Sequence, residues 1–431
     1  MMSRFDFARA AASLALSLFL VAPLGLHAAG LAPEEQKIVA YVDAHPDAFG
    51  ADLAAAVKID SATENFAGVR QIGELFRGQL AELGFDSRFV ELPASTGRAG
   101  HLVAEHKGTK GKRVLLIGHL DTVFPGANFS REGNTVHGAG VADMKGGDVV
   151  IIQALRALQS AGALADTQII VVMSGDEEAP GNPLDVVRHD LRDAAQRSDL
   201  ALAFESAIGQ TGTVARRGFA GWELEVQGAT GHSSGIFSAA VGSGSVFETA
   251  RILQGFYDKL SKMDGITINP ALIVGGTEAS LTRTGGTVSG KSNVIAQRTL
   301  VRGDLRYLSA AQLAEARAAM EAVVRNHLPR TSAVLTFQDD IYPAMAPTPE
   351  NYALLAQLDQ ASRDLGYGEI TAFDPRGRGA GDISFVSPPL PGLDGLGLGG
   401  KGEHTTNESA ELVRAPELVK RAAVLIYRLT R

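Results

Sequence analysis

Three unbroken apolar runs limit what this 431-residue chain can fold into more than any other feature: KRVLLI (112–117), TQIIVVM (167–173) and LALAF (200–204). A strand with one wet face alternates apolar and polar residues, whereas a run without alternation is covered on both faces. The intervening chain has helical periodicity, most clearly over 148–161. Apolar strands separated by helices predict an α/β layer with a sheet sandwiched between helices. Ser87–Leu92 and Gly100–His106 are further strand candidates, Pro33–Ala55 is expected to be helical, and Phe66–Leu83 to be a helix stopped by Gly84.

From about Gly218 the pattern changes. Gly221–Gln227, Ala271–Gly275, Thr284–Ser289, Gln297–Leu305 and Ala333–Gln338 alternate, as half-exposed strands do, around helices at Gly242–Leu260 and Ser309–His327. This predicts an α+β unit resembling a ferredoxin-like layer, residues 215–338, inserted into a larger α/β domain made of 31–214 and 339–431.

The first 30 residues differ from the rest. Arg4 and Arg9 precede an apolar run, Ala10–Leu26, broken by Pro23 and followed by small residues at Ala28, Ala29, Gly30 and Ala32. A secretory signal peptide has this layout, with a membrane anchor as the alternative. The run falls short of the ~18 uninterrupted residues of a spanning helix, which favours export to the periplasm or medium. The chain has no cysteine, so disulfides and lipid attachment through an N-terminal cysteine are excluded, and any zinc must be held by His, Asp and Glu. A formal charge of −8 gives no electrostatic case for nucleic acid or an anionic membrane.

Chemistry-bearing residues gather where the apolar runs end, the edge at which open α/β sheets bind ligands. His119 and Asp121 follow KRVLLI; two apart in extended chain, they project to one side, so a metal-bound imidazole at 119 can be oriented by the carboxylate at 121. Asp143 sits among Gly138, Gly140, Gly146 and Gly147 at the start of a helix, where bare backbone lets a carboxylate approach a metal pair. Asp176-Glu177-Glu178 follow TQIIVVM, and three adjacent acids repel unless something cationic is present. Glu205 ends LALAF, and His404 lies in a glycine-rich loop. Each alone has an ordinary alternative: a surface turn at 119–121, a helix cap at 143, a solvated acidic turn at 176–178, a structural histidine at 404. Together they match a dinuclear zinc site in which one carboxylate bridges two ions, each ion also taking one His and one further acid.

In order and wording, GHLDT (118–122), GAGVADMKGG (138–147), DEE (176–178) and GEHTT (402–406) resemble the zinc-dependent exopeptidases and deacylases that include glutamate carboxypeptidase, aminoacylase and succinyl-diaminopimelate desuccinylase. The resemblance spans nearly the whole chain after residue 30. It implies His119 and Glu205 on one zinc, Glu178 and His404 on the other, and Asp143 between them, preceding a cis peptide bond. It also implies Asp121 orienting His119, Glu177 as general base, and cobalt or manganese as substitutes for zinc.

The resemblance extends to the inserted unit, which in this family is a lid that dimerises. GATGHSSG (228–235) is similar to the motif whose histidine, here His232, reaches the partner subunit's site and stabilises the oxyanion. SNVI (292–295) and GDLR (303–306) resemble substrate-contacting segments, implying roles for Asn293 and Arg306, although a turn and a surface strand are their plain alternatives. Ala296 departs from the family's usual proline, and Gly381–Ser384 resembles a pocket-lining loop. Glutamate at the Glu205 position implies a carboxypeptidase or deacylase rather than an aminopeptidase. A free substrate carboxylate would then be clamped by Arg306 or Arg283. Release of glutamate comes first; an N-acyl-amino-acid deacylase, a dipeptidase and a non-catalytic zinc- or peptide-binding protein are the alternatives.

Overall fold

A computed structural model of the chain describes residues 30–282, 284–338, 342–387 and 389–431. The expected signal peptide and Arg283 lie outside them. No described helix is long and apolar enough to cross a membrane.

The three apolar runs form adjacent strands. Asp86–Glu91 (β1), Gly100–His106 (β2), Lys110–His119 (β3), Thr167–Ser174 (β4) and Leu200–Ala203 (β5) make one sheet in the order β1-β2-β4-β3-β5, closed by the short strand Gly392–Leu393. β3 runs parallel to both β4 and β5, whereas β1 and β2 are antiparallel additions, so the sheet is mixed. Alternate residues of each run serve different cores. Val114, Leu116, Val171, Met173, Leu200 and Leu202 pack with the helices Lys145–Ser160 and Ala415–Leu429. Leu115, Ile117, Ile170, Val172, Ala201 and Ala203 pack on the other face with Leu191, Met345 and Ile383. Burial on both faces is why the runs carry no polar alternation.

The second sheet draws on residues between 218 and 337. Gly218–Gly228 (β6), Thr267–Gly276 (β7), Arg298–Tyr307 (β8) and Thr331–Phe337 (β9) are antiparallel in the order β7-β8-β6-β9. The helices Gly244–Leu260 and Ala310–Val324 complete a β-α-β-β-α-β unit, the ferredoxin-like arrangement. Its core holds Trp222, Leu224, Ile252, Phe256, Val301 and Met320.

Two sequence expectations need correction. Pro33–Ala55 is not one helix: Pro33–Ala44 and Ala48–Val57 are separated at His45-Pro46, because the proline disfavours helical backbone in the residue before it. The strand expected over Thr284–Ser289 does not join the four-stranded sheet. Gly286–Ser289 pairs instead with Glu278–Leu281 as a separate ribbon, so its alternation reflects local hairpin pairing.

Candidate metal centre

Strand register sets the cluster. His119 pairs with Ser174 across β3 and β4, and Ile117 pairs with Ala203 across β3 and β5. The residues just beyond, Glu177-Glu178 on one side and Glu205 on the other, therefore emerge at the same sheet edge as His119. The fourth element is the loop before the helix Lys145–Ser160. A Cβ at Gly147 would lie 1.9 Å from the Phe204 carbonyl oxygen, so only glycine lets this helix start close enough to β5 to carry Asp143 to Glu205. The Asp143–Met144 peptide is cis. Glu408, whose role the sequence did not reveal, fixes that loop: its carboxylate accepts hydrogen bonds from the backbone N–H groups of Gly140 (2.7 Å), Ala142 (2.8 Å) and Asp143 (2.9 Å).

Asp143 lies at the centre. One of its oxygens is 3.2 Å from His119 Nε2 and the other 3.1 Å from His404 Nε2. Glu205 Oε1 is 3.8 Å from His119 Nε2, and Glu178 Oε2 is 3.2 Å from His404 Nε2. Among the described residues the donor atoms form three sets, each within 4.8 Å: two triads that share Asp143, His119–Asp143–Glu205 and Asp143–Glu178–His404, and a third, His119–Glu177–Glu178. Asp121 lies behind His119, with its carbonyl 3.0 Å and its carboxylate 3.5 Å from Nδ1. Its carboxylate also accepts the backbone N–H groups of Glu177 (3.0 Å) and Glu178 (3.1 Å) and the Thr63 hydroxyl (2.7 Å). One buried carboxylate therefore orients an imidazole and the acidic turn together. The site opens into a cleft of about 150 Å³ lined by Thr122, Phe124, Asn128, Asp143, Glu178 and His404.

The cluster is short of positive charge. Burial, reinforced by Glu205, raises the Glu177 carboxyl well above its ordinary range, and burial also raises Glu178. Burial pushes Glu205 up to about 7 despite Arg216 nearby. Asp143 and Glu178 push His404 up to about 11, and Asp121 and Asp143 hold His119 high against the opposing effect of burial. Acids that resist ionisation beside imidazoles that resist deprotonation are relieved together by divalent cations, which take carboxylates ionised and imidazoles neutral. Nitrogen and oxygen donors without sulfur, in two triads sharing one carboxylate, fit a pair of such ions.

Asp176, the first acid of its run, faces away from this cluster. Fully buried Arg188 binds it at 2.5 Å and pairs with Asp382 at 2.9 Å, and Asp382 accepts the Ser174 hydroxyl. The cation expected beside three adjacent acids is thus partly an arginine. The Gly381–Ser384 loop, expected to line a pocket, instead turns Asp382 into this buried network. Arg188→Met should destabilise the fold by about 3–5 kcal/mol, because it leaves two buried carboxylates uncompensated. Urea unfolding measures this; a loss below about 1 kcal/mol would contradict it.

The inserted-unit residues are placed differently. An isolated bridge joins His232 to Val294, and Ser233 N–H donates to the Asn293 carbonyl, so His232 and Asn293 lie side by side. Among the described residues, His232 belongs to none of the metal-donor groups of its own chain. Arg306 is bound to Asp304 at 3.0 Å and stacks on Phe219. It lies eight residues from Arg298 along β8, roughly 26 Å at strand rise, whereas Gln297 lies at the His232 end beside Gly228. The structure does not bring Arg306 together with His232 and Asn293.

Comparison with known proteins follows from this geometry. The model for peptidase family M20/M25/M40 matches residues 115–430. The chain belongs to that family. Relatives within it include carboxypeptidase G2 of Pseudomonas sp. strain RS-16, 30% identical over 41% of this chain and 43% of its own length. The succinyl-diaminopimelate desuccinylase of Novosphingobium aromaticivorans is 32% identical over 37% of this chain and 45% of its own length. The chain thus spans less than half the length of these two relatives. The desuccinylase of Gluconobacter oxydans is 24% identical but aligns over 80% of this chain and 89% of its own length. Among solved structures, aminopeptidase PepT of Bacillus cereus matches 90% of this chain and 99% of its own, with TM-score 0.69 and 17% identity. The Bacillus subtilis YXEP protein, described as a dinuclear metal-binding peptidase of this family, matches 90% and 99% with TM-score 0.62 and 14% identity. The mixed α/β fold expected from the apolar runs is the fold of these family structures.

Proposed function

We propose that the protein is an exported two-zinc exopeptidase that cleaves the amide bond before a C-terminal amino acid, with glutamate as the leading candidate for release. The observation that carries this reading is the pair of donor triads sharing Asp143, with the Glu177 carboxyl beside them. In the proposed roles His119, Asp143, Glu178, Glu205 and His404 hold the ions, and Asp121 orients His119 and the acidic turn. Two zinc ions bound there supply Lewis acidity that lowers the pKa of water toward ~7. Glu177 accepts the proton of the attacking water and delivers it to the leaving nitrogen as the C–N bond breaks, giving a carboxylate and a free amine.

Residues 215–338 act in this reading as a lid that pairs with the lid of a second copy. Strand β7 lies at a sheet edge, and Val246, Phe247, Tyr257 and Ile273 are exposed apolar side chains of β7 and the helix Gly244–Leu260. An unpaired edge flanked by apolar surface favours such association. Across the lid contact His232, with Asn293 beside it, would stabilise the oxyanion in the partner subunit's site. Arg306, already engaged by Asp304 and Phe219, would have to exchange those contacts to serve as a carboxylate clamp.

A substrate panel tests the activity: an acyl-glutamate, a dipeptide and an aminopeptidase substrate blocked at its C-terminus, each assayed with zinc and with cobalt. The acyl-glutamate should be hydrolysed at least about tenfold faster than the blocked substrate, the discrimination given by ~1.4 kcal/mol of selective binding. Preference for the blocked substrate would overturn the carboxypeptidase reading. Faster turnover of the dipeptide would favour a dipeptidase.

A further inference from the structure

The chain enters the inserted unit near Arg216 and leaves it near Met345, and these crossings form a neck. Arg216 pairs with Met345 through two backbone hydrogen bonds of 3.0 and 3.1 Å, and Phe219 N–H donates to the Tyr342 carbonyl at 2.9 Å. One side chain from each crossing reaches the candidate centre. Tyr342 donates its hydroxyl to the backbone carbonyl of Glu177 at 2.8 Å and accepts Arg188 Nη2 at 3.3 Å. Arg216 places Nη2 at 3.6 Å from Glu205 Oε2. The rest of its guanidinium is fixed by Asp394 and by the Gly379 and Ala380 carbonyls. On the lid side, Tyr307 at the end of β8 donates its hydroxyl to the Tyr342 carbonyl at 3.0 Å.

A continuous path therefore runs from β8 through Tyr307 and Tyr342 to the Glu177 backbone. The Glu177–Glu178 turn is gripped from one side by Asp121, which takes its N–H groups, and from the other by Tyr342, which takes the Glu177 carbonyl. We propose that Tyr342 is a positioning residue that couples the lid to the general base, with Arg216 holding Glu205 from the opposite crossing. A change in lid angle then moves Tyr342 through its backbone and shifts the Glu177 carboxyl relative to the substrate carbonyl. The inference rests on the proposed role of Glu177 and adds to it a mechanical link between lid and chemistry.

Two variants test it. Tyr342→Phe removes the hydroxyl and keeps the ring against Phe385, 4.9 Å away. Tyr307→Phe removes one of the two lid hydrogen bonds to the Tyr342 carbonyl, leaving that of the Phe219 N–H, without touching the centre. In Tyr342→Phe, kcat should fall about fivefold or more, the effect of one lost hydrogen bond, with KM and metal content unchanged. Amide hydrogen exchange in the 175–179 segment should quicken by a similar factor. Tyr307→Phe should quicken exchange in the same segment, although its own residue belongs to the lid. Unchanged exchange there in Tyr307→Phe overturns the coupling, and a fall in kcat matched by loss of metal overturns the positioning role. If Tyr342→Phe fails to fold, the exchange measurement on Tyr307→Phe decides alone. Exchange is read without substrate, so a protein inactive on the whole panel would count against the proposed function and leave this test intact.

Discussion

Replacing Glu177 by alanine should lower kcat by about 10²–10⁴-fold, the usual contribution of a positioned general acid–base, while the protein keeps its full metal complement. Glu177 is beside its neighbour's metal triad yet sits differently. Its N–H is held by Asp121 and its carbonyl by Tyr342, so truncating the side chain leaves the backbone gripped on both sides. The geometry also groups Glu177 with His119 and Glu178 within 4.8 Å, a third set that could hold an ion. Kinetics with elemental analysis separate the two roles. A base gives dead enzyme with metal bound, whereas a ligand gives dead enzyme with metal lost. Wild-type turnover in the variant would remove Glu177 from the mechanism altogether.

Asp143→Ala should be still more severe, because it removes the donor common to both triads. His119 and Glu205 on one side, and Glu178 and His404 on the other, are left as two-donor remnants, and the set His119–Glu177–Glu178, which lacks Asp143, has donors for one ion at most. The two-ion complement should be lost, with at most one ion retained at metal concentrations that saturate the unmodified protein, and activity should fall below that of the Glu177 variant. His404→Ala is the control: it strips one triad and should leave the His119 ion in place. Retention of both ions in Asp143→Ala would contradict the shared-carboxylate arrangement.

The fold was legible where burial writes itself into composition. KRVLLI, TQIIVVM and LALAF lack alternation because each is packed on both faces, and that gave the central strands and the edge where His119, Glu178 and Glu205 gather. The ferredoxin-like unit was legible from alternation around two helices. Proximity across long sequence separations was not. Glu408 bonds to Asp143 across 265 residues, and Tyr342 to Glu177 across 165, and no local pattern marks either. Arg188 sits at the turn between two short helices, Leu184–Val187 and His189–Gln196, and only the tension in three adjacent acids hinted that a cation was needed. His101, one of several histidines without an assigned role, proves structural: its ring bonds the Val187 carbonyl and accepts the Gly175 N–H that begins the acidic turn. Arg306 has the wording of a motif, but motif wording does not reveal that it lies at the opposite end of β8 from His232 and Asn293.

The central claim is the pair of ions bridged by Asp143, and anomalous X-ray diffraction at the zinc edge on crystals of the zinc-loaded protein tests it most directly. The account predicts two peaks about 3.5–4 Å apart, one among His119, Asp143 and Glu205 and the other among Asp143, Glu178 and His404. A single peak, or two peaks without Asp143 between them, would contradict it.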